Sequence, residues 1–171
     1  MSVILGIDPG SRVMGFGLIE RVTATKVRYL SSGCVRMTDM VLSQKLYTIF
    51  DGINQLMQEF KPDEVGIESI FMHKNAMSAL KLGQARGAAI VAVAHYAAKV
   101  FEYSPREIKQ AVVGYGAAKK EQVQDMVCRL LELPSTPQAD AADALAVALC
   151  HAHTQQGLIW LNDAYKKGER I

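Results

Sequence analysis

Cysteine is scarce in this 171-residue chain. Cys34, Cys128 and Cys150 are odd in number, widely spaced, and form no CxxC pair. A disulfide scaffold is therefore not expected, and a reducing, cytoplasmic setting is. A dominant charge is lacking too: 19 Lys and Arg face 17 Asp and Glu, a net charge of +2. That balance neither marks a nucleic-acid binder nor excludes one, because binding follows where charge clusters. Long apolar runs are missing. The longest, Gly87 to Ala94, is bounded by Arg86 and His95, far short of the roughly 20 residues that cross a bilayer. The opening MSVILGIDPG has no basic segment ahead of an apolar one, so neither an export signal nor a membrane role is expected. Repeats, low-complexity stretches and linkers are absent as well. So is the GxxxxGK(S/T) signature of phosphate-loop NTPases.

What is present is a globular composition, 50% hydrophobic and 21% charged, at a length suited to one core. Residues 1–156 are expected to form that single domain. Residues 157–171, polar apart from Leu158-Ile159-Trp160-Leu161, form a loosely docked tail in this reading. Val3 to Ile7 is a short apolar run closed by Asp8-Pro9-Gly10, as in a central strand buried on both faces. Met14–Glu20 and Lys26–Arg36 are strand-like around a turn at Thr23-Ala24-Thr25, completing an antiparallel meander. Leu42, Leu46, Ile49, Ile53, Met57 and Phe60 then recur at helical spacing, and Pro62 ends that helix. Residues 64–70 read as a strand, and Asn75 caps a helix to about Ala98. A last strand at Phe101–Ser104 precedes helices near 105–112, 119–132 and 137–153. Thr136 and Pro137 fit the N-cap and first position of the final helix. The expected class is α/β: a mixed five-stranded sheet, meander plus βα units, with helices on both faces.

Four acids stand out against this pattern. Asp8 ends the first strand, where Asp before Pro-Gly is also ordinary turn chemistry. Glu68 sits in an apolar strand, although a strand at a sheet edge would leave it in water. Asp140 and Asp143 interrupt a helix that is apolar nearly all round. A helix dipole accounts for Asp140 near the start but fades before Asp143. Their i, i+3 spacing puts two like charges on one face, which requires positive charge between them. If all four converge, two divalent cations cancel them. A cage of carboxylates without Cys or His selects Mg²⁺, with Mn²⁺ as substitute. Paired hard cations serve phosphoryl displacement, so a phosphodiesterase is expected.

The segments Ile7-Asp8-Pro9-Gly10 with Gly15 and Gly17, Glu68-Ser69-Ile70-Phe71, and Gln138-Ala139-Asp140-Ala141-Ala142-Asp143-Ala144-Leu145 carry a resemblance. So do Lys74-Asn75, Leu80-Lys81-Leu82-Gly83-Gln84-Ala85-Arg86-Gly87 and Pro105-Arg106-Glu107-Ile108-Lys109-Gln110. Together they resemble the RuvC family, bacterial Holliday-junction resolvases of the ribonuclease H-like fold, over about residues 3–153. The resemblance implies a homodimer that nicks two opposed strands of a four-way DNA junction symmetrically, in recombination and repair. It implies divalent-metal-activated water, 5′-phosphate products, and work alongside the RuvA and RuvB branch-migration proteins. Asp8, Glu68, Asp140 and Asp143 match the family's metal-binding catalytic acids.

Phe71 is either a staple on the following helix or, as the resemblance implies, a wedge stacking on an opened base. Lys109 and Lys120 match lysines near the scissile DNA. Arg12 and Lys74 are further DNA-binding candidates, each close in sequence to an acid. Ala79, Gly83 and Gly87 form a smooth helical stripe that fits the chain's own sheet, or alternatively a two-fold mate. Cys150-His151-x-His153 lacks a fourth ligand for zinc and reads as a helix end. The Gly6-Ile7-Asp8-Pro9-Gly10 opening also resembles that of sugar kinases and actin-like ATPases, whose second domain does not fit in this length. The remaining alternatives are a related nuclease acting on RNA and a junction-binding protein that does not cut.

Overall fold

The computed structural model describes residues 1–70 and 75–166, from 158 onward as backbone. In β1 (Ser2–Asp8), Ile4, Leu5 and Ile7 are fully buried and point to alternate faces, so the strand lies inside the sheet. It pairs antiparallel with β2 (Val13–Arg21), which pairs antiparallel with β3 (Val27–Arg36). On its other side β1 runs parallel to β4 (Glu64–Glu68), and β4 runs parallel to β5 (Lys99–Tyr103). The order β3-β2-β1-β4-β5 matches the expected mixed sheet and puts β4 inside it, not at an edge.

Helices cover both faces. Ile49 and Ile53 of α1 (Leu42–Phe60) and Ala89 and Val93 of α2 (Ala76–Ala94) pack on Leu5, Ile7, Val65 and Ile67. On the opposite face, α3 (Pro105–Val113), α4 (Lys120–Leu130) and α5 (Ala139–Lys166) bury Ile108, Val127, Leu145 and Leu149 with Ile4 and Ile19. Helix α5 is a buried centrepiece, with Ala141, Ala142 and every residue from Ala144 to Ala152 buried.

Several boundaries differ from the sequence expectation for physical reasons. Helix α2 stops at Ala94 because Ala97 turns left-handed, at φ 55°, and lets β5 start at Lys99. Helix α5 starts at Ala139, later than the Thr136-Pro137 signal, its first turn closed by Ala142 N–H on the Gln138 carbonyl at 2.9 Å. It then runs through to Lys166, so the residues read as a helix end and early tail continue one helix. The small-residue stripe of α2 does not face the sheet. A methyl at Gly83 or Gly87 would meet nothing within 4 Å, whereas Ala85, Ala89 and Ala92 take the inward positions.

The close approach of α5 to the sheet depends on glycine. A Cβ at Gly6 would overlap the Ala144 carbonyl oxygen, and one at Gly15 the Asp140 carbonyl oxygen. The helix backbone therefore rests directly on the strand backbone, with no side chain between them.

Candidate active site

β1 and β4 are in register with Gly6 opposite Gly66 and Ile7 opposite Ile67, so Asp8 and Glu68 leave the sheet side by side. This is the carboxyl end of the parallel strands, where open α/β sheets place their sites. Asp8 shares a face with Gly6, and Glu68 shares one with Gly66, which lies against Val147 and His151 of α5. Both acids therefore face α5. Asp8 is also the partner of Gly15, the residue on which the Asp140 backbone rests. The first turns of α5 thus bring Asp140 and Asp143 to the strand-end acids, so three elements gather four carboxylates.

The electrostatics carry the mark of that gathering. Burial first, then the charges of Glu68, Asp143 and Asp140, push the Asp8 carboxyl from 3.8 up to about 8, against the opposing pull of Lys120. Glu68 is raised by burial and by Asp143, with Lys120 and Lys109 lowering it. Lys120 Nζ donates to Asp143 Oδ2 at 2.6 Å, and this bond raises the lysine's pKa. Helix α3 is fixed by a capping box, Ser104 N–H on Glu107 Oε2 at 2.7 Å and Glu107 N–H on Ser104 Oγ at 3.2 Å. It carries Lys109 to the rim of a cleft of about 210 Å³ shared with Glu68, Lys120 and Asp143.

Among the described residues, no group of three or more His, Cys, Asp or Glu is already disposed as a metal cage. The donor chemistry nevertheless fits a hard cation: carboxylates only, with Asp8 retaining a proton near neutrality because positive charge is short. Lys120 supplies part of that charge at Asp143.

The remaining expected site residues fall elsewhere. Arg12 lines a separate cavity of about 590 Å³ between the first halves of α1 and α2, with Lys45 and Lys81. Phe71 and Lys74 lie outside the described residues. Sequence reasoning missed a polar group beneath the site. His151, read as a helix-end residue, is fully buried in mid-helix. It bonds Tyr103 Oη through Nδ1 at 2.6 Å and Glu64 Oε2 through Nε2 at 2.8 Å. Glu64 in turn accepts from Arg21 at 3.0 Å. Burial lowers the pKa of His151 despite Glu64, so the ring is neutral. A polar residue within an otherwise apolar helix was the available signal.

The model of the family described as "Crossover junction endodeoxyribonuclease RuvC" matches residues 4–151. The crossover junction endodeoxyribonuclease RuvC of Pseudoalteromonas atlantica is 58% identical over 170 residues, 99% of this chain and 98% of that one. That of Tolumonas auensis is 62% identical over 159 residues, covering 93% and 91%. Among solved structures, Thermus thermophilus RuvC in complex with a Holliday junction substrate superposes with a TM-score of 0.87. It is 33% identical and covers 92% of this chain and 96% of its own.

Proposed function

The chain belongs to the RuvC family of crossover junction endodeoxyribonucleases, and from that premise we propose that Asp8, Glu68, Asp140 and Asp143 are its catalytic acids. The substrate in this reading is a four-way DNA junction, cut by paired symmetric nicks that leave 5′-phosphates. One observation carries the proposal: three elements deliver four acids to one corner of the sheet, beside Lys109 and Lys120.

The four carboxylates would hold two Mg²⁺, or Mn²⁺ in their place. Bound there, such cations activate a water and stabilise the leaving oxygen of a phosphodiester. The chain's own groups do the rest. Glu68 and Asp8, fixed at adjacent strand ends, define one side of the site, and the first turns of α5 define the other. Lys120, which donates to Asp143, would be placed to turn to a DNA phosphate were that carboxylate to hold a cation. Lys109 meets the same backbone from the α3 side of the cleft. Phe71 is assigned the role of wedge at the junction, and Arg12 and Lys74 that of backbone contacts.

A homodimer would present two such sites to opposed strands. The outward face of α2 supports this, since Leu80, Gly83 and Val91 are exposed and fall on one side of the helix. RuvA and RuvB are the proposed partners in branch migration, and the cytoplasm the proposed location. Among the described residues no helix is long and apolar enough to cross a membrane.

Cleavage of a four-way junction, a linear duplex and a structured RNA, each with and without Mg²⁺, tests the reading. Junction cutting should dominate and require the metal. Asp143→Asn should slow nicking by at least about a hundredfold while junction binding stays within a few fold. Near-normal nicking by that variant would refute the four-acid site.

A further inference from the structure

Two rows of residues run alongside one another where α5 crosses β4. On the strand, Glu64, Gly66 and Glu68 share the face toward the helix, two residues apart. On the helix, His151, Val147 and Asp143 share the face toward the strand, four residues apart. They meet rung by rung. His151 hydrogen-bonds Glu64, Val147 and His151 lie over Gly66, and Asp143 lines the same cleft as Glu68. The lengths agree as well. Eight helical residues rise about 12 Å and four strand residues about 13 Å. A bond at one end of the pair therefore fixes which residues meet at the other.

From this geometry we infer that His151 is a positioning residue: its bonds to Glu64 and Tyr103 lock the axial register of α5 on the sheet and so set Asp143 opposite Glu68. The bond directions follow from the groups available. The Glu64 carboxylate only accepts, so His151 donates from Nε2, and its bare Nδ1 accepts from the Tyr103 hydroxyl. Arg21 holds Glu64 from the β2 side. Tyr103 is paired in register with Glu68, and its carbonyl accepts from Ser69 N–H at 2.8 Å and from Ser69 Oγ at 3.2 Å. One imidazole thus ties α5 to the start of β4 and to the residue that flanks Glu68. The close packing of Gly6, Gly15 and Gly66 against α5 fixes how near the helix lies but supplies no directional side-chain bond. His151 supplies that bond.

The inference rests on the proposed role of the acids, and its test separates the two. Tyr103→Phe deletes one bond to His151, and Glu64→Gln weakens the bonds that Glu64 accepts from His151 and Arg21; both keep side-chain shape, so both should fold. Mn²⁺ binding by calorimetry, Mg²⁺-dependent junction cutting, and crystal structures of the two variants are the readouts. Expected are a rise of roughly tenfold in the half-saturating metal concentration, junction affinity within twofold of the parent, and a displacement of Asp143 relative to Glu68. Glu64→Asp, one methylene short, should not restore the parent's metal requirement. An unchanged metal requirement with Asp143 in place, whether or not the melting temperature falls, would overturn the lock. If the parent protein itself binds no Mn²⁺, the reading of the acids fails. The lock is then decided by the variant structures alone.

Discussion

Asp8 ends a buried strand, and its carboxyl titrates near 8 because burial and three neighbouring acids oppose its charge. Between the ordinary 3.8 and about 8, the folded chain keeps a proton that the unfolded chain has released. Without metal, stability should therefore fall as pH rises through that window. Asp8→Asn removes the effect, so the metal-free variant should melt above the parent at pH 8, by roughly 3 °C or more, and close to it at pH 4. Parallel melting curves across pH would mean that Asp8 ionises in the ordinary range. The same substitution should abolish metal-dependent nicking, a stabilising change that removes function. In the sequence, Asp8 alone looked like a turn residue. Only Asp143, too deep in an apolar helix for the dipole to explain, made the acids legible as a group. Arg12 is a candidate through its nearness in sequence to Asp8, and it lines a cavity with α1 and α2. Sequence proximity fixes the backbone and leaves the direction of a long side chain open.

At the scale of elements, the glycine seat of α5 separates two kinds of glycine. Gly15→Ala drives a methyl into the Asp140 carbonyl, which can yield only by moving the helix. The expected outcome is a loss of more than about 3 kcal/mol in denaturant unfolding, or a folded protein without activity. A tolerated, active Gly15→Ala would show that the helix rides higher than described. Gly83 has open space around it and should accept small side chains without strain. Both lie in segments that carried the resemblance, and composition does not tell them apart. The strands and helices were readable because their apolar periods of two and of three to four do not overlap. Boundaries were less so. The left-handed turn at Ala97 depends on where β5 must start, and the bond between Gln138 and Arg36, at 3.0 Å, joins residues far apart in the chain. The Glu64–His151 pair was hidden for the same reason, being a contact between elements that no local period encodes.

For the whole molecule, the net +2 divides unevenly. With the four acids set aside, the remainder carries +6. Junction affinity should accordingly fall roughly a thousandfold between 50 and 200 mM salt if about six phosphates are met. A flat salt profile would argue against a basic binding face. If the proposed homodimer forms through the exposed α2 stripe, Gly83→Arg should leave a monomer in sedimentation where the parent is a dimer, with the fold intact. A dimer that survives it would have its mate elsewhere. Two of the four acids belong to the helix whose residues Ala144 to Ala152 are all buried, seated backbone on backbone against the central strands. Amide protons from Ala144 to Leu149 should exchange only through global opening. The proposed acids Asp140 and Asp143 sit in the first turns ahead of that stretch, half-buried, so their end of the helix should exchange sooner than its middle. A rigid middle and a looser first end then divide the helix, one part holding the sheet and the other carrying the acids.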